Sequence, residues 1–252
     1  MIRLPAGARG AAPATELNPQ IHSKQMRKRS IVLSLVLPLG AACGTVRYPL
    51  PAELATVAPL RVSGRQGVLV NQRLSFGPYA TGEVNRSSTR GTEVTDVLAS
   101  HGGDYRQRYS FSLARGETKV ADVACLAEGS GAETLTVTWR LKRVLQCNVT
   151  ASDGGLRTLY LESSRDQPLA GRVTGSEGFE VAGSNRVGGG RVSGTAGYTI
   201  TRGDRTPVAA VEVMNDGAVY MAAGGGDVLA AVAAALLLYQ DPLQASERFR
   251  DP

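Results

Sequence analysis

Residues 228–239 read VLAAVAAALLLY, without a charged or strongly polar member. Ala and Leu are strong helix formers. Asp227 is placed to cap the first turn after Gly224-Gly225-Gly226, and Pro242 stops the segment after Gln240 and Asp241, so a helix is expected over 228–240. Twelve residues at about 1.5 Å each span about 18 Å, well short of a hydrocarbon core of about 30 Å. A helix that is apolar all round must be buried all round. In a chain otherwise made of strands, the simplest enclosure is the interior of a closed sheet, and the alanines keep the helix thin enough to fit there.

The rest of the body supplies the strands. From about Leu60 to Ala222 the hydrophobic period is two. In 105–113 the odd positions are Tyr105, Gln107, Tyr109, Phe111 and Leu113, and the even ones Arg106, Arg108, Ser110 and Ser112, so one face is apolar and the other solvated. Residues 134–150 repeat this, with Leu135, Val137, Trp139, Leu141, Leu145, Cys147 and Val149 on one side; Arg143 and Val144 break phase, which suggests a bulge. Further strands are expected over 73–84, 119–127, 157–162, 170–174, 179–182, 190–193, 198–202, 208–214 and 218–221. The 30 glycines sit mostly between these runs, as turns and bulges require. Many short strands at regular spacing imply a sandwich or barrel.

The run Pro207-Val208-Ala209-Ala210-Val211-Glu212-Val213, then Asn215-Asp216-Gly217-Ala218-Val219-Tyr220, ahead of the apolar helix, resembles the end of the tubby-like barrel superfamily, which includes phospholipid scramblases and plant LURP-one-related proteins. The resemblance covers chiefly residues 170–240. It implies a closed antiparallel β-barrel of about twelve strands around a central C-terminal helix. Members of the superfamily differ widely in activity, and no phosphoinositide-site residue of the tubby proteins matches a position in this sequence, so architecture is all that the resemblance implies.

The N-terminus carries an address. Arg27, Lys28 and Arg29 follow Met26 as a positive region, residues 31–39 form an apolar stretch interrupted by Ser34 and Pro38, and Gly40, Ala41 and Ala42 lead into Cys43. This resembles a bacterial lipoprotein signal, in which a Cys directly after the cleavage site receives lipid. The family prefers Leu three residues before the Cys, where this sequence has Gly40, with Leu39 one residue further out; cleavage by ordinary signal peptidase after Ala42 is the alternative, giving a secreted soluble protein. Gly44 stands where an inner-membrane retention signal would place Asp, so the resemblance implies a periplasm-facing, lipid-anchored protein of the outer membrane. Residues 1–25 have no apolar period and read as an over-extended gene start. The expected organisation is thus 1–25 extension, 26–42 signal peptide, 43–59 a tether containing Pro49, Pro51 and Pro59, 60–240 a single barrel domain, and 241–252 a polar tail.

Charge points away from nucleic acid. The chain has 28 Lys plus Arg against 22 Asp plus Glu. Residues 1–42 hold six of those cations (Arg3, Arg9, Lys24, Arg27, Lys28, Arg29) and one anion (Glu16), which leaves 22 against 21 in the body. So balanced a body offers no polyanion footprint.

Three cysteines are present, Cys43, Cys125 and Cys147. An exported chain with an odd thiol is unusual. Lipidation of Cys43 would leave the other two to pair in an oxidising compartment. Each shares an apolar face with its neighbours, on consecutive strands joined by a turn expected at 129–131, which allows a structural disulfide; two separate buried thiols are the alternative.

No residue pattern calls for catalysis. His101 is the body's lone histidine, in a Gly-rich, loop-like Ser100-His101-Gly102-Gly103-Asp104, without a positioned partner. No His or Cys cluster has metal-ligand spacing, and residues 188–194, GGGRVSG, fit neither phosphate-loop pattern and read as a hairpin turn. Neither a metal nor a cofactor is expected. Arg106, Arg108, Arg140 and Lys142 are expected on outward faces of nearby strands, where they would form a weak basic stripe for lipid headgroups, although the interleaved Glu117, Asp122, Glu128 and Glu133 make an ordinary mixed-charge face the plainer reading. The expectation is a non-catalytic envelope lipoprotein with an interaction or structural role, held to the membrane by its anchor and meeting an envelope protein or lipid; the alternative is a lipid or anionic-headgroup binding module.

Overall fold

The computed structural model describes residues 47–64, 73–90, 94–95, 101–133, 138–164, 167–192 and 194–239. In chain order the strands are β1 (Leu60–Ser63), β2 (Ser75–Phe76), β3 (Tyr79–Thr81), β4 (Asn85–Arg90), β5 (Val94–Thr95), β6 (His101–Arg115), β7 (Thr118–Glu133), β8 (Thr138–Ala151), β9 (Leu156–Ser164), β10 (Ala170–Thr174), β11 (Phe179–Ser184), β12 (Arg186–Val187), β13 (Gly190–Arg191), β14 (Gly197–Arg202), β15 (Pro207–Glu212) and β16 (Ala218–Met221), followed by helix α1 (Asp227–Leu238).

Twelve of these strands close an antiparallel barrel, and the helix is C-terminal to them all. Around the barrel the order is β3, β2, β1, β16, β15, β14, β11, β10, β9, β8, β7 and β6, and β6 returns to β3 through Tyr79↔Arg115 and Thr81↔Leu113. The first half of β6 extends past β3 and is edged by β4 and β5 instead.

Period-two alternation sets the inner face. Tyr109, Phe111 and Leu113 of β6, Val123 and Ala127 of β7, Leu145 and Val149 of β8, and Leu159 and Leu161 of β9 are all buried in one cluster with the helix. Ten of the twelve residues of α1 are buried, so the apolar stretch is covered on every side, as its composition demands. Asp227 is not the cap: Gly226 holds that position without a side-chain bond, and Asp227 is the first helical residue. Its carboxylate is taken instead by Tyr79, whose hydroxyl donates to Oδ1 at 3.0 Å, and by Arg115 at 3.3 Å.

Several boundaries depart from the periodicity. Residues 73–84 are not one strand but the β2–β3 hairpin, turned at Gly77, whose φ of 54° suits a glycine. Residues 129–131 are not a turn; they lie inside β7, paired with β6 and β8, while residues 134–137, where the two strands join, lie outside the described residues. Gly129 is there because the ring of Tyr105 lies across it, and a Cβ would collide with Tyr105 Cε1. The phase break in β8 is real but sits earlier than expected: Ser130 pairs with Lys142 and Gly131 with Arg140, so Leu141 is the extra residue. Beyond that bulge Arg143 follows the inward phase of Leu145, Cys147 and Val149. Trp139, paired with Ala132, and Leu145, paired with Ala127, therefore hold register positions on opposite faces rather than on one.

The segment expected as a tether is part of the body along the described residues 47–59. After Pro51, Ala52–Leu54 form a 3-10 turn, and Leu54 is 0% exposed. Tyr48 and Leu54 join Ala196, Ala210, Ala218 and Tyr220 in a second, smaller core on the outside of the barrel. Tyr48 also bonds Thr199, Oη to Oγ1, at 2.7 Å. This cover explains why β15 is buried on both faces: Ala209 and Val211 meet the main core, and Ala210 meets the smaller one.

Candidate functional site

The barrel interior is the first place to look for chemistry, and three of its tyrosines are occupied in holding the helix, while Nη1 of Arg86 is buried beside Tyr109 without a hydrogen-bond partner among the described residues. Tyr109 donates to the carbonyl of Ala235 at 2.8 Å, and the hydroxyls of Tyr105 and Tyr239 lie 3.2 Å apart. Together with Tyr79 on Asp227 these bonds tie α1 near both ends. Burial pushes the Tyr109 phenol well above the ordinary tyrosine range, with the nearby Arg86 partly opposing it. The Arg86 guanidinium lies 5.4 Å from the centroid of the Tyr109 ring, a cation–π arrangement, and burial lowers its pKa.

Arg143 is a polar core residue that the sequence pattern registers only as a broken phase. It is 2% exposed, and it donates from Nε to Ser163 Oγ at 3.1 Å and from Nη2 to the Gln167 carbonyl at 2.6 Å. Those bonds pin β8 to β9 and to the chain beyond it, and satisfy part of a guanidinium that would otherwise be costly to bury.

Cys125 and Cys147 form a disulfide, facing each other in register across β7 and β8 with a Cα–Cα distance of 4.0 Å. Both lie in the main core. The bridge is thus a brace inside the barrel wall.

Of the four cations of the expected stripe, Arg106, Arg108 and Lys142 hold register positions on the outer face and Arg140 does not. Arg106 and Arg108 are exposed on β6, but Arg106 is engaged by its cross-strand neighbour Glu128 on β7, Nε to Oε1 at 2.6 Å. Lys142 is exposed on β8, one strand further round. Arg140 pairs with Gly131 and Lys142 with Ser130, consecutive residues, so the bulge gives Arg140 and Lys142 register positions on opposite faces; the side chain of Arg140 lies outside the described residues. His101 opens β6, paired with Thr95 and Glu133, and so belongs to a strand rather than a loop. Among the described residues no three His, Cys, Asp or Glu side chains are grouped as a metal site would need. Cys43 lies outside the described residues.

A different basic feature appears where the N-terminal segment meets the β12–β13 hairpin. Residues 186–191 form that hairpin with Gly188 and Gly189 at its tip, in accord with the turn expected there. The amide of Gly188 donates to the carbonyl of Arg47 at 3.1 Å. Arg47, Arg186 and Arg191 are all exposed, while Val187 and Val192 pack against the smaller core beneath. Sequence reading separates Arg47 from the hairpin by some 140 positions and gives no sign of their contact.

Comparison of the chain with family models, with curated proteins and with solved structures finds no match. No helix among the described residues is long and apolar enough to cross a membrane.

Proposed function

We propose that the protein is a non-catalytic lipoprotein of the cell envelope, anchored through lipid on Cys43 to the outer membrane and presenting its barrel to the periplasm as an interaction or structural body. The observation that carries this reading is the Cys125–Cys147 disulfide: two of the three thiols are consumed in the core, which leaves Cys43, directly after a signal-like segment, as the thiol available for acylation. The filled interior supports a role played on the outer surface. A barrel wrapped on an apolar C-terminal helix also supports kinship with the tubby-like superfamily at the level of architecture.

The test is intact mass and membrane fractionation of the protein expressed in a Gram-negative host, beside a Cys43→Ala variant. A mature N-terminus at Cys43 with acyl mass, and loss of outer-membrane association in the variant, is the expected result. An unacylated soluble product beginning at residue 43 would overturn the anchor and make the protein a diffusible, secreted domain.

A second reading is a binding module for anionic headgroups. The exposed Arg108 and Lys142 favour it, while the engagement of Arg106 by Glu128 weakens the particular stripe on which it first rested.

A further inference from the structure

We infer that the β12–β13 hairpin and Arg47 form a membrane-apposed surface, whose arginines contact anionic phospholipid headgroups of the bilayer that holds the anchor. The inference rests on the anchor reading above and assigns the side of the barrel that faces the membrane. Its first support is chain length. Gly44, Thr45 and Val46 alone separate Cys43 from Arg47. Four Cα–Cα steps reach at most about 15 Å. Arg47 in turn is fixed to the barrel, through its carbonyl on Gly188 and through its neighbour Tyr48, which is buried in the smaller core and bonded to Thr199. A lipid on Cys43 would therefore hold this face of the barrel against the headgroup layer, rather than let the domain stand off on a long leash.

The second support is what the face presents. Arg47, Arg186 and Arg191 are exposed, and among the described residues none of the ion pairs engages them. Contrast Arg106, Arg115 and Arg202, each of which meets a carboxylate. Between Arg186 and Arg191 the tip is Gly188-Gly189-Gly190, and a Cβ added at any of the three would meet nothing within 4 Å. The tip thus projects into open space with no side chains to hold the arginines away from a flat surface. Beneath it, Val187 and Val192 seat the hairpin on the barrel, so the cations are carried on a supported platform. A polybasic group near an anionic bilayer gains attraction from each cation within a Debye length, and a short anchor keeps all three within that range.

The experiment separates this surface from the anchor. Acylation of the wild-type chain is read by intact mass. Surface binding is read on the Cys43→Ala chain, which has no acyl group, by co-sedimentation at low salt with vesicles of phosphatidylcholine alone and with phosphatidylglycerol added. Binding is expected only with phosphatidylglycerol, and is expected to weaken as salt rises. Adding Arg47→Glu, Arg186→Glu and Arg191→Glu is expected to lower it at least about a hundredfold, since each cation near an anionic surface contributes a factor of about five and the new carboxylates add repulsion. The variant Arg106→Glu/Arg108→Glu, which reverses the cations of the second reading and so separates it from this surface, is expected to bind as its parent does, with melting curves as the check that every variant is folded. Binding indifferent to phosphatidylglycerol, or unchanged by the triple reversal, or lost in the β6 variant instead, overturns the surface even where acylation is found. Absence of acyl mass with the arginine dependence intact overturns the anchor and leaves the headgroup surface standing.

Discussion

Tyr109 on β6 donates a hydrogen bond to the carbonyl of Ala235 in the last turn of the helix, across 126 residues of sequence and wholly inside the barrel. The same carbonyl receives the amide of Tyr239 at 3.0 Å. One acceptor thus ends the helix and fixes it to the wall.

Removing the Tyr109 hydroxyl by Tyr109→Phe leaves the ring in place and the Ala235 carbonyl still bonded once, so the expected loss is about 1 kcal/mol, measured by urea unfolding. The same phenol predicts alkaline behaviour. Its pKa is raised in the folded state by burial, and burial also raises those of Tyr48 and Tyr79, the latter helped by Asp227. A group with a raised folded pKa contributes full stability below its unfolded value, and that contribution falls as pH rises from about 10 toward the folded value. Unfolding free energy should decline above that pH, with a shallower slope in Tyr109→Phe; a slope unchanged by the substitution would refute the assignment.

The disulfide closes a loop with a sequence separation of 22 residues. The chain-entropy relation gives about 3 kcal/mol for a loop of this size. Unfolding free energies with and without reductant should differ by that amount, and the Cys125→Ala/Cys147→Ala chain should match the reduced protein. Alkylation of both thiols under denaturing, non-reducing conditions would show that no bridge had formed.

Leu54 tests whether residues 47–59 belong to the folded body. In a tether, Leu54→Ala would change stability by less than about 0.5 kcal/mol. Buried as it is in the smaller core, its truncation is expected to cost about 2–5 kcal/mol in urea or thermal unfolding.

Gly129→Ala should be costly for a different reason. The new methyl group would occupy space now taken by the Tyr105 ring, forcing that ring off the wall and away from Tyr239. The expected loss is about 1–3 kcal/mol by denaturant titration. Tyr105→Ala should make the same glycine substitution nearly neutral, a non-additivity that a simple strand-propensity effect would not produce.

The barrel was legible where residues repeat a rule: Tyr109, Phe111 and Leu113 alternate with Arg108, Ser110 and Ser112, and nothing polar interrupts Val228 to Tyr239. It was illegible where a single extra residue changes phase. Leu141 looks like one more apolar position in a run, yet it is the bulge that separates the parity of Trp139 from that of Leu145 and splits Arg140 from Lys142. Arg143 shows in the sequence only as a broken phase, because a periodicity argument cannot supply Ser163 and the Gln167 carbonyl as its partners. The prolines at 49, 51 and 59 suggested an extended linker, whereas Tyr48 and Leu54 are too sparse to show a period and find their core only on strands more than 140 residues away. The contact between Arg47 and Gly188 was hidden for the same reason, since no local pattern encodes a long-range backbone bond.

The seam of the barrel joins Leu60 of β1 to Val219 of β16, and the helix that fills it is made later still. A chain that emerges from a ribosome or a translocation pore N-terminus first therefore cannot close its wall before residue 221 or fill its core before residue 239 is clear. Products stopped short of the helix would display the apolar inner faces of the strands, the surface that chaperones and proteases act on. The helix so serves as a check on the barrel: only a chain made through residue 239 can hide its own interior.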